Sequence, residues 1–68
     1  MPIERHILRD LLSGQSTADS IAGRLNLNTE AAETILKRLA RQGLINHRPL
    51  PPLTVWFLNP DTRRELTA

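Results

Sequence analysis

The chain contains no cysteine and no tyrosine, and its only aromatic residues are Trp56 and Phe57. Without cysteine there is neither a disulfide framework nor a zinc–thiolate site to staple the fold. Two aromatics are few for a β-sandwich and ordinary for a helical domain. The longest unbroken apolar run is four residues, 55–58, far short of the ~20 that a membrane span needs. The start, Met1-Pro2-Ile3-Glu4, lacks the basic stretch and apolar segment of a secretory signal. Twelve leucines and five isoleucines remain to build a core from 68 residues. A chain of that length buries only about 60% of its unfolded surface. The expectation is one soluble, cytoplasmic domain with no membrane contact, helped by self-association.

Acidic residues are also missing, but only from one region. Residues 1–33 carry three arginines against five acids, a net −2, whereas residues 34–68 carry six bases against two acids, a net +4. No acid occurs anywhere in residues 34–60, which hold Lys37, Arg38, Arg41 and Arg48. Eight of the nine bases are arginine, the side chain whose planar fork suits phosphates and base edges. Such asymmetry points to an anionic partner.

Periodicity sets the expected elements. Apolar residues at 3, 7, 8, 11 and 12 predict an amphipathic helix over residues 3–12, with Pro2 at its start and Gly14 closing it. Ser16 or Thr17 offers the next N-cap, with Asp19 placed to complete a capping box with Ser16. Ala18, Ile21, Ala22 and Leu25 form the second helix's stripe, and Asn26 is its expected stop. Asn28 or Thr29 caps a third helix, whose Ala32, Ile35, Leu36 and Leu39 face inward. Glu30 and Glu33 lie near its positive end and Lys37, Arg38 and Arg41 near its negative end; Glu33 and Lys37 also stand at ion-pairing spacing. Gly43 ends it. The period then changes to that of strands at 44–48 and 54–58. Between them Pro49-Leu50-Pro51-Pro52-Leu53 reads as a stiff, unpaired connection. Residues after Asn59-Pro60-Asp61 read as a tail or a helical turn capped by Asp61.

Helix, helix, short turn, helix and hairpin, in that order, resemble a winged helix-turn-helix. Ser20-Ile21-Ala22-Gly23-Arg24-Leu25-Asn26-Leu27-Asn28 is similar to the second helix and turn of bacterial winged-helix transcriptional regulators. Residues 34–45, Thr34-Ile35-Leu36-Lys37-Arg38-Leu39-Ala40-Arg41-Gln42-Gly43-Leu44-Ile45, resemble their recognition helix running into the first wing strand. The resemblance spans residues 3–58. It implies a mainly α fold of three helices plus a two-stranded wing, with residues 1–60 as the domain and 61–68 as a tail or short helical turn. It further implies double-stranded DNA as partner, with the third helix in the major groove. There Thr29, Glu30 and Thr34 would meet base edges, Lys37, Arg38 and Arg41 would neutralise phosphates, and Arg48 would extend contact from the wing.

Two features depart from that pattern. The leading carboxylates Glu30 and Glu33 would be repelled by phosphates, and the wing tip is apolar rather than basic. Both leave open a rival reading, a winged-helix module that binds protein, similar in size and fold to small accessory proteins of ferrous-iron transport. Strand alternation puts Val55 and Phe57 on one face and Trp56 and Leu58 on the other. With the first pair inward, Trp56 and Leu58, joined by Leu66, form the expected homodimer or partner interface. Catalysis has little to work with: His6 and His47 are the only histidines, no serine has a paired base, and single glycines do not make a phosphate loop. No enzyme activity, metal, cofactor or small-molecule substrate is expected.

Overall fold

The computed structural model describes residues 2–68; Met1 lies outside them. The elements are α1 (Pro2–Leu11), β1 (Ser16–Thr17), α2 (Ala18–Leu25), α3 (Thr29–Arg41), β2 (Ile45–Leu50), β3 (Leu53–Leu58) and α4 (Pro60–Thr67). The strands form one antiparallel sheet in the order β1-β3-β2. The first three helices and the hairpin follow the expected order. One helix and one strand are additional to the expected three helices and two-stranded wing.

Helix ends are fixed by the residues whose chemistry suits them. Thr17, in extended conformation, accepts from the Ser20 N–H and caps α2. Ser16 instead accepts a bond from Arg24 (2.6 Å), and Asp19 one from the Thr29 hydroxyl (2.7 Å), so the expected Ser16–Asp19 capping box is not formed. Asn26 closes α2 in the left-handed region (φ 59, ψ 46), which asparagine tolerates better than most residues. Gly43 (φ 79) closes α3. Its N–H reaches the Ala40 carbonyl and the Leu44 N–H the Leu39 carbonyl, the paired bonds of a glycine-terminated helix.

The core is Ile7 and Leu11 from α1, Ile21 from α2, Leu36 and Leu39 from α3, and Ile45, Trp56 and Leu58 from the hairpin. Trp56 and Leu58 therefore point inward, the reverse of the expected face. Both alternating sets on β3 are apolar, so periodicity could not choose between them; packing on the helices does. Val55 and Phe57 take the other face, where Val55 is buried as expected and Phe57 is half-buried, with the Arg48 guanidinium over the Phe57 ring (5.7 Å).

The hairpin is also longer than expected. Pro49 pairs in register with Thr54 and Leu50 with Leu53, leaving Pro51-Pro52, joined by a cis peptide, as the turn. β2 is an edge strand, where a proline's missing N–H can face away from the ladder. α4 begins with Pro60 in its first turn, a favoured place for proline, and Asp61 lies inside the helix rather than capping it. Asn59 makes no side-chain cap; its amide donates to the Gly43 carbonyl (2.6 Å). Arg63 donates to the Leu12 carbonyl at the end of α1 (3.1 Å), and Leu66 packs on the core. Arg24 forks onto both Asp10 oxygens (2.8 and 2.7 Å), tying α2 to α1. That hydrogen bonding pushes the Arg24 guanidinium above its ordinary range.

Candidate nucleic-acid interface

α2 and α3 are joined by Asn26, Leu27 and Asn28. The Leu27 N–H bonds back to Ala22 (2.8 Å) and the Asn28 side chain accepts from the Ala31 N–H (2.7 Å). This turn fixes which side of α3 faces outward. Ala32, Leu36 and Leu39 are buried, so Glu30, Thr34, Lys37 and Arg41, spaced at helical period, form the exposed stripe, with Arg38 beside it. The stripe is graded: a carboxylate at its leading end, then a hydroxyl, then three cations.

The cations are not neutralised by neighbours. Among the described residues the ion pairs are Arg24–Asp10 (2.7 Å) and Arg64–Asp61. The expected Glu33–Lys37 pair is absent, and Lys37, Arg38, Arg41 and Arg48 have no carboxylate within ion-pair distance. Such charges keep their hydration in water and are available to an external anion.

Two hydroxyls are partly committed. Thr29 is half-buried and donates to Asp19 on α2, which ties it to the turn. Thr34 donates to the Glu30 carbonyl (3.0 Å), leaving its oxygen lone pairs and methyl group outward.

The hairpin register divides the wing residues. Directly opposed residues share a face, so His47 lies with Trp56 and Arg48 with Val55. The His47 ring packs at a tilt against Trp56 (centroids 5.0 Å apart, planes 39° apart) and, with Lys37, Thr29 and Leu53, His47 lines a groove of about 390 Å³ between α3 and the hairpin. Asp19 and Glu33 also line it, so the groove is of mixed charge. Arg48 stands on the other face. The structure thus brings Glu30, Thr34, Lys37, Arg38 and Arg41 together, sets Arg48 apart, and adds His47, which sequence reasoning had left aside. Its signal was the alternation that pairs it across from Trp56.

No protein-family model and no curated protein matches the sequence. Solved structures do. A Lactococcus lactis ZitR variant superposes with a TM-score of 0.87 at 25% identity, over 98% of this chain and 50% of its own. The homodimeric winged helix-turn-helix DNA-binding domain of Mb0332 from Mycobacterium bovis gives 0.92 at 22% identity, over 97% and 62%. The adhesin competence repressor AdcR of Streptococcus pyogenes gives 0.89 at 20%, over 98% and 52%. This chain spans between half and two thirds of the length of those proteins. The likenesses identify its fold as the winged helix-turn-helix of transcriptional regulators.

Proposed function

We propose that this chain is the DNA-binding unit of a bacterial-type transcriptional regulator, binding double-stranded DNA through the outward side of α3. The observation that carries the reading is the set Lys37, Arg38 and Arg41, exposed and free of carboxylate partners on the second helix of a helix-turn-helix. In this reading they neutralise phosphates, while Thr34 and Glu30 meet base edges; a carboxylate can accept from the cytosine amine. Thr29 contributes by holding the turn, and Arg48 reaches the backbone from the side of the wing. The role is non-catalytic and belongs in the cytoplasm with its DNA.

A homodimer is part of the proposal, as a two-fold operator would require. Mb0332 is described as homodimeric. Trp56 and Leu58 are buried in the core and cannot supply the interface as expected, but Leu66 lines a groove of about 640 Å³ with Leu8 and Leu44, between α1 and α4. None of these residues belongs to the charged stripe. A second reading, a protein-binding module, is favoured by one observation: the leading end of α3 is acidic, carrying Glu30 and Glu33, with Asp19 lining the same groove as Glu33.

An electrophoretic shift on random-sequence duplexes distinguishes the two. Log affinity should fall linearly with log salt, with a slope near −0.9 for each phosphate neutralised, about −3 to −4 per protomer for the three α3 cations with or without Arg48. Absence of any shift at about 50–100 mM salt, where such contacts are strong, overturns the DNA reading.

A further inference from the structure

Lys37 is the only lysine among nine basic residues; the other eight are arginine. For phosphate contact alone arginine would serve at least as well, because its planar fork binds two oxygens at once. Lysine differs in that it can shed a proton and act as a nucleophile, which a guanidinium does not. The one amine side chain thus stands in the middle of the charged stripe, between Thr34 and Arg41. It is exposed and outside ion-pair distance of Glu33, one turn before it.

Its surroundings supply what an amine needs in order to react. Lys37 lines the groove of about 390 Å³ together with His47, Glu33, Asp19 and Thr29. Contact with Trp56 holds the His47 ring in place, and no other described residue hydrogen-bonds its ring nitrogens; the side-chain bond recorded at His47 runs from its backbone N–H to Asn46. A positioned, unengaged imidazole beside an amine is the pairing that general-base catalysis uses. Arg38 and Arg41, also without carboxylate partners, add a field that gathers anionic reagents.

Resting on the DNA reading above, we propose that Lys37 is an acylation site whose modification loosens the duplex. The donor is a small activated acyl group on an anionic carrier, either an acyl phosphate or the thioester of a phosphorylated thiol. His47 takes one proton from the Lys37 ammonium. The freed Nζ lone pair attacks the acyl carbonyl and forms the C–N bond. The bond from the carbonyl carbon to phosphate oxygen or thiol sulfur breaks, and the leaving group carries off its electron pair and the second proton from nitrogen. No oxidant or reductant is involved. The product is an uncharged amide, so the stripe loses one of its three cations and a donor to phosphate.

The test incubates the full chain with acetyl phosphate in one arm and acetyl-coenzyme A in the other, each with Nα-acetyl-lysine amide present as a reference amine. Mass spectrometry should place an acetyl group on Lys37 in at least one arm, which identifies the donor. It should form roughly tenfold faster than on the reference, a modest share of the about 10²–10⁴ that a positioned base contributes. His47→Gln should return the rate to that of the reference. The acetylated chain should keep its thermal melt and bind a duplex selected from a random pool about tenfold more weakly, with a salt slope smaller by about 0.9. A Lys37→Arg chain carried through the same treatment should keep the affinity it had before treatment. Acetylation of Lys37 no faster than the reference in both arms overturns the proposal and leaves the DNA reading standing. So does a His47→Gln chain that reacts like the parent, or an acetylated chain that binds like the unmodified one. Failure of the unmodified chain to bind any duplex removes the DNA reading itself, and the switch with it.

Discussion

Reversing Lys37 and Arg41 to glutamate abolishes duplex binding at moderate salt and leaves the fold intact. Each cation released from a phosphate costs a factor of about ten in affinity near 0.1 M salt, from the counterion slope of about −0.9 per contact. Losing two therefore weakens binding on the order of 10²-fold, and two added carboxylates facing the backbone extend the loss further. Both side chains are exposed and neither holds an ion pair, so the thermal melt should scarcely move; surface substitutions of this kind change stability by about 0.5 kcal/mol or less. Arg9→Glu on α1, equally exposed but off the stripe, is the control and should bind nearly as the parent does. Titration of a labelled duplex by fluorescence anisotropy measures all three. A reversal that binds within a factor of about three of the parent would place the phosphate contacts elsewhere.

Trp56→Ala unfolds the domain, or nearly so. Trp56 is 6% exposed and packs with Ile7, Leu11, Ile21 and Leu36 in the core. It sits on the central strand, in register with Ser16 on one side and His47 on the other. Removing a buried tryptophan costs about 3–5 kcal/mol, against a total stability of roughly 5–15 kcal/mol for native domains, with small ones at the low end. The expected drop in Tm is at least about 12 °C, taking 4 °C per kcal/mol for a domain of this size. Calorimetry or circular dichroism reads it directly. An unchanged Tm with only a shift in oligomeric state would mean that Trp56 works at an interface rather than in the core.

That second result bears on what the sequence could convey. Helix ends were legible because their chemistry is local: Asn26 tolerates positive φ, Gly43 adopts it freely, and Asn28 accepts from an N–H three residues on. The exposed stripe of α3 was legible for the same reason, since 30, 34, 37 and 41 recur at helical period whatever surrounds them. The inward face of β3 was not. Val55 and Phe57 compete with Trp56 and Leu58 on equal terms, and only the helices beneath decide.

β1 escaped notice because two polar residues, Ser16 and Thr17, become a strand only through pairing with Trp56 and Val55. α4 escaped as a full helix because its inward side is just Thr62 and Leu66, too little apolar patterning to register. Within the site, the faces of His47 and Arg48 depend on where the hairpin turns. A slip of one residue would exchange them, and the proline-rich stretch hid the turn at Pro51-Pro52. The bond from Thr29 to Asp19, ten residues earlier, has no local signature in the sequence.

The outward side of α3 as the surface that meets DNA is most directly tested by titrating the ¹⁵N-labelled chain with a selected duplex and following amide shifts. The account predicts the largest changes at Thr34, Lys37, Arg38 and Arg41, with further changes at Arg48, while Leu8 and Leu66 stay in place at a fixed protein concentration. Shifts concentrated around Leu8, Leu44 and Leu66, or confined to the acidic end at Asp19 and Glu30, would contradict it.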